Sequence, residues 1–103
     1  MSESKVLLLF FDLPTETKEE RRAYTRFRKR LLQDGFLMLQ ESVYIRLVRN
    51  GDHLERELNQ LEKGLPEGNV KALTLSLRQF SDMRTLRGEP FPLDALTADF
   101  LTV

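Results

Sequence analysis

One carboxylate, Asp12, closes the most apolar stretch of the chain, Val6-Leu7-Leu8-Leu9-Phe10-Phe11, and Leu13-Pro14 follows it. Taken alone, such a carboxylate caps the loop or forms an Asx turn ahead of Pro14. No histidine or second acid stands near it in sequence to serve as general base or acid. The other residues that could do chemistry are cations. Lys18, Arg22, Arg26 and Lys29 recur at helical spacing and form a stripe that could meet phosphates. With Glu16, Glu19 and Glu20 in the same segment, the stripe also reads as a solvated helix face. Arg78 is a further candidate cation, placed on the polar side of a predicted strand.

Composition narrows the chemistry. The chain has 103 residues and no cysteine, which excludes disulfides, thiolate zinc sites and a cysteine nucleophile. A single histidine, His53, excludes a site built from several, and its place after a helix cap predicts an exposed side chain. Formal net charge is zero, but residues 16–34 hold seven basic and four acidic groups. That excess of three positive charges is local and can serve nucleic acid where the average cannot. No signal peptide or membrane-length span is evident, so no membrane partner and a cytoplasmic location are expected.

The elements that must position Asp12 follow from periodicity. The apolar run is too short to cross a membrane and reads as a buried strand that Pro14 ends. Asp12 then shares a face with Val6, Leu8 and Phe10, while Leu7, Leu9 and Phe11 face the other way. Thr17 and Glu20 form a capping box that opens a helix ending at Gly35, with Ala23, Tyr24, Phe27 and Leu31 on its buried side. Phe36–Gln40 and Ser42–Arg49 read as a hairpin turning at Gln40-Glu41-Ser42, with Met38, Val43 and Ile45 in the core. Asp52 and Glu55 suggest a second capping box, and Leu54, Leu58 and Leu61 give that helix its apolar stripe. Val70–Arg78 alternates as a half-buried strand, with Leu73, Leu75 and Leu77 facing one way. Gln79–Arg84 suggests a helical turn and Thr85–Arg87 a short strand. Residues 89–103 carry three acids and no base. The order is the ferredoxin-like βαββαβ pattern, an α+β sandwich with both helices on one side of an antiparallel sheet. The chain divides into a domain of residues 1–88 and a tail of residues 89–103. Asp99-Phe100-Leu101-Thr102-Val103 has the character of a short extra C-terminal strand. Since both faces of the first strand are apolar, a homodimer packed sheet on sheet is expected.

Several of these pieces, in this order, resemble the CRISPR-associated protein 2 family, the small adaptation subunit that accompanies the spacer integrase. They are Leu9-Phe10-Phe11-Asp12-Leu13-Pro14, Arg21-Arg22-x-Tyr24, Phe27-Arg28-Lys29-x-Leu31-Leu32, Gly35-Phe36 and Gln40-x-Ser42-Val43-Tyr44. Leu73-x-Leu75-x-Leu77 and Leu86-x-Gly88 continue the match, which covers about residues 5 to 88. It is most similar to members found beside Cas9-type systems. The resemblance implies a homodimer, and a divalent metal, Mg²⁺, at Asp12, with the two copies of that residue facing each other near the dimer axis. It implies a magnesium-dependent endonuclease acting on RNA or duplex DNA. It also implies a bridge between integrase dimers during spacer acquisition, with Asp99–Val103 as the partner-binding strand. A small-ligand regulatory domain of the same fold is disfavoured, because Leu13-Pro14-Thr15 replaces the glycine-rich loop such a domain would use. An RNA-recognition sheet is disfavoured too, because no exposed aromatic pair is evident.

Overall fold

Strand β1 (Lys5–Asp12) lies at the centre of the molecule. The computed structural model describes residues 4–101. With six consecutive apolar side chains, β1 has two apolar faces, and it takes an interior position paired on both edges. The order is β2 (Leu37–Gln40), β3 (Val43–Val48), β1, β4 (Asn69–Ser76), and every pairing is antiparallel. Helices α1 (Lys18–Gln33) and α2 (Gly51–Glu62) join the strands in the expected βαββαβ order.

Helix α1 starts where its sequence predicts. Thr17 Oγ1 accepts from the Glu20 amide, and Glu20 Oε1 accepts from the Thr17 amide at 2.9 Å. It ends before Gly35, whose φ of +95° suits a residue without a Cβ. Helix α2 differs in its cap. Asn50, not Asp52, stands at the N-cap and accepts from the His53 amide at 2.8 Å, because Asn50-Gly51 turns directly into the helix. The helices cover one face of the sheet. Leu7, Leu9 and Phe11 meet Phe27, Leu31, Tyr44, Val48 and Leu61 there, with Leu54 and Leu58 packed alongside. Phe11 makes edge contacts with Phe27 (5.1 Å) and Tyr24 (6.1 Å) and stacks on Tyr44 (5.7 Å).

The second face departs from expectation. Val6, Ile45 and Leu47 are buried there by Phe80 and Leu96, with Phe91 against them, so the chain's own C-terminal third covers part of that face. Ser76 and Gln79 form a capping box that stops β4 and starts α3 (Leu77–Ser81). Arg78 therefore sits on an exposed helical turn, not on a strand. The strand expected at Thr85–Arg87 is absent, and Leu86 is 92% exposed with no strand beside it. The C-terminal strand is also corrected. Asp99, Phe100 and Leu101 belong to helix α4 (Leu93–Leu101), while Thr102 and Val103 lie outside the described residues. A helix satisfies its own backbone, whereas a lone terminal strand has no neighbour to pair with. Met38, expected in the core, is half exposed because β2 is a four-residue edge strand with a neighbour on one side only.

Candidate functional site

Asp12 is the last residue of β1, opposite Asn69 of β4. Its side chain is exposed, on the face it shares with Val6, Leu8 and Phe10, as the alternation requires. It accepts no side-chain hydrogen bond and makes no ion pair among the described residues. Two grooves meet at this carboxylate. One, of ≈500 Å³, runs past Leu13, Thr15, Arg21, Tyr24, Glu41 and Ser42. The other, of ≈340 Å³, is lined by Phe10, Ser42, Val43, Asn69 and Lys71.

The walls are held by specific bonds. Arg21 Nη1 donates to the carbonyls of Thr15 (3.2 Å) and Glu16 (2.8 Å), which ties the loop after Asp12 to α1. Ser42 has φ +65°, and its carbonyl accepts from the Phe11 amide at 3.1 Å. The Ser42 and Tyr24 hydroxyls share a hydrogen bond of 3.1 Å, locking the β2–β3 turn to α1. Gly68 passes so close beneath the strand end that a Cβ there would lie 2.7 Å from the Asp12 carbonyl oxygen.

The structure gathers only part of the predicted set. Lys18, Arg22 and Arg26 border one shallow groove together with Arg21 and Thr25. Lys29 continues the exposed stripe along α1, and no member of the stripe makes an ion pair among the described residues. Arg78 on α3 lines neither groove at Asp12. Arg21 and Lys71 are site residues that the sequence pattern alone did not single out. Strand alternation could have found Lys71, which pairs with Phe10 and faces the Asp12 side. Nothing local points to Arg21, whose part depends on where the loop folds back.

His53 is not the exposed residue that was expected. Its side chain is 12% exposed, its Nδ1 accepts from the Arg49 amide at 2.9 Å, and its Nε2 lies 3.6 Å from Glu57 Oε1. Burial first, and then the charge of Arg46, lower its pKa. Arg46 Nη1 donates to Glu57 and to the Asp34 carbonyl. This cluster stands under α4, outside the grooves at Asp12.

A divalent ion of the magnesium type wants oxygen donors and keeps several waters, so one or two carboxylates suffice. The unpartnered Asp12 carboxylate fits that donor set. No group of three acidic or histidine side chains gathers among the described residues. One chain therefore offers one strong ligand.

A four-stranded antiparallel sheet with two helices on one face and a lone acid at the end of its central strand defines a small ferredoxin-like α+β domain. Residues 5–83 match the family described as CRISPR associated protein Cas2, and the chain belongs to that family. It is 46% identical over 85 residues to the CRISPR-associated endoribonuclease Cas2 of Acidovorax ebreus, covering 82% of this chain and 83% of that one. A protein of the same name from Ligilactobacillus salivarius is 44% identical over 84 residues, covering 81% and 83%. One from Streptococcus mutans is also 44% identical, covering 81% and 78%. Among the described residues no helix is long and apolar enough to cross a membrane.

Proposed function

We propose that this chain works in CRISPR adaptation as a symmetric homodimer packed sheet on sheet, with a magnesium-dependent endonuclease site at the paired Asp12 residues. One observation carries this reading. The apolar surface left open on the second face lies directly beside Asp12. Phe10 is 39% and Leu73 50% exposed there, and the register sets the Leu8–Leu73 and Phe10–Val43 pairs side by side. Large apolar side chains facing water at one end of an otherwise covered sheet favour burial against a second copy. A twofold axis through that end brings the two acids together, and each chain supplies the ligand its partner lacks.

When bound, the ion would supply Lewis acidity toward the phosphate and lower the pKa of a water. Asp12 would hold it. Arg21 and the Ser42–Tyr24 pair keep the two walls at a fixed separation from the carboxylate, and Arg21, Lys71 and the α1 stripe offer positive charge to a nucleic-acid backbone. Relatives named as endoribonucleases favour RNA as one substrate, and duplex DNA is the other. The integrase is the proposed protein partner, met by residues 89–103, with residues 1–88 as the dimerising domain.

A second reading keeps the dimer and the DNA surface but no cleavage. It is favoured by the absence of a histidine from the grooves at Asp12 among the described residues, which leaves Glu41 across the groove as the other carboxylate there and no ordinary proton carrier beside Asp12. Cleavage of RNA and duplex DNA, together with spacer integration by the partner integrase, is to be compared for wild type, Asp12→Ala and a truncation after Leu96. The nuclease reading expects Asp12→Ala to remove cleavage while the protein stays dimeric. Cleavage that persists in a contaminant-free mutant overturns it. Integration that survives Asp12→Ala but not the truncation assigns the bridging role.

A further inference from the structure

Arg28 stands outside the α1 stripe, yet its exposed guanidinium is tied to a residue of the core. Its Nε donates to the Tyr44 hydroxyl at 2.7 Å. Tyr44 is fully buried and stacked on Phe11, the residue before Asp12. The phenol thus carries an anchor from the core to the surface, and the arginine is fixed at its inner nitrogen. The two terminal nitrogens make no hydrogen bond or ion pair among the described residues, and Arg28 itself is exposed. Such a fork is prepared for a planar oxygen pair, because the rotamer freedom that binding would otherwise remove is already gone.

Its place on α1 gives the ligand. Arg21, Thr25 and Arg28 recur at i, i+4 and i+7 and so share one face. Arg21, Thr25 and Tyr24 line the groove that holds Asp12. Arg28 lies about 10 Å along the helix from Arg21. It is near enough to Glu41, which belongs to that groove, to feel its charge. Glu41 is the acid facing this row, and it forms no ion pair with Arg28 among the described residues.

We propose that Arg28, aimed by Tyr44, grips a backbone phosphate of the nucleic acid and sets the position of the strand along the Asp12 groove. This rests on the nucleic-acid-binding role proposed above. It adds a binding point outside the α1 stripe, made by a residue whose orientation is set from the core. Tyr44 is the positioning residue and Arg28 the one that touches the phosphate.

The test is the salt dependence of binding to a single-stranded RNA and to a DNA duplex, for wild type, Arg28→Ala, Arg28→Lys and Tyr44→Phe. Removing one charge-assisted bond to phosphate should weaken binding about tenfold. Arg28→Ala should also make the plot of log affinity against log salt shallower, by about 0.9 for a duplex or about 0.7 for a single strand, for each phosphate left without its cation. Tyr44→Phe retains the charge, so it should weaken binding with an unchanged slope, and Arg28→Lys should behave in the same way. The strand type that shows the Arg28 slope change identifies the ligand. If wild type binds neither probe, the nucleic-acid reading itself falls. If wild type binds and Arg28→Ala keeps both affinity and slope, this inference falls alone. If Tyr44→Phe matches wild type while Arg28→Ala does not, the phosphate bond stands and the aiming role is overturned. Thermal melts of each variant separate these outcomes from loss of fold.

Discussion

The two faces of the sheet are built from the same strand and end differently. On one, Leu7, Leu9 and Phe11 are sealed under α1 and α2. On the other, Val6 and its neighbours are sealed by Phe80 and Leu96, while Phe10 and Leu73 stay in water. The closed face is a complete core that a single chain can form. The half-open face is finished only where the C-terminal segment reaches, and its open half is the half that carries Asp12. The site therefore sits at a boundary between apolar surface buried within the chain and apolar surface left open.

Adjacent residues test that contrast most directly. Phe11→Ala should cost about 3–5 kcal/mol, since it empties a position packed by three rings. Phe10→Ala should cost a dilute monomer about 1 kcal/mol or less, because that ring is already partly hydrated. It should nonetheless dissociate the dimer proposed above. Urea unfolding and sedimentation velocity on both variants measure the two effects, and equal unfolding costs would erase the distinction. A cost below that of Phe11→Ala is expected from Gly68→Ala, about 1–3 kcal/mol. Gly68 has φ +122° and no room for a Cβ against Asp12 and Leu13. Its effect should appear as weaker amide protection at the Asp12 end of β1 than at the Lys5 end.

The smallest effect lies away from the Asp12 end of the sheet, at His53, which shares a pocket with Ala95 and Leu96 of α4. Its folded pKa is below the ordinary value of 6.5. The unfolded chain therefore takes up the proton first as pH falls. The stability contributed by neutral His53 is fully present above about pH 6.5 and is lost as pH drops through the lower folded value. Arg46, Arg49 and Arg56 oppose its protonation, while Glu57 favours it. His53→Gln should lose less stability than wild type between about pH 7.5 and about pH 5.5. Equal losses would show that burial and the arginines leave this ring unperturbed.

Local signals in the chain were legible where one residue decides the outcome. The Thr17–Glu20 box, the end of α1 before Gly35, the β1 alternation and the βαββαβ order all follow from such positions. The signals that misled were of the same local kind but had competitors. Ser76 with Gln79 outweighed the alternation that would have carried β4 through Arg78, because a reciprocal cap satisfies two amides at once. Residues 99–101 have strand-like composition, yet the buried position of Leu96 draws that segment into a helix across the sheet. His53 looked exposed because its shelter comes from Arg46, Arg49 and Glu57, of which only Glu57 lies on its own helix.

By itself the amino-acid order determined that one acid ends an apolar strand, that two capped helices cross one side of the sheet, and that cations line the first helix. Those features depend on neighbours a few residues apart, within reach of a single turn or pleat. Only the tertiary structure decided that Arg21 braces the loop beside Asp12, that Arg28 bonds the buried Tyr44, and that the C-terminal segment covers part of the second face. Each of these joins residues distant in the chain. No periodicity records such pairings, because they exist only once packing has chosen which surfaces meet.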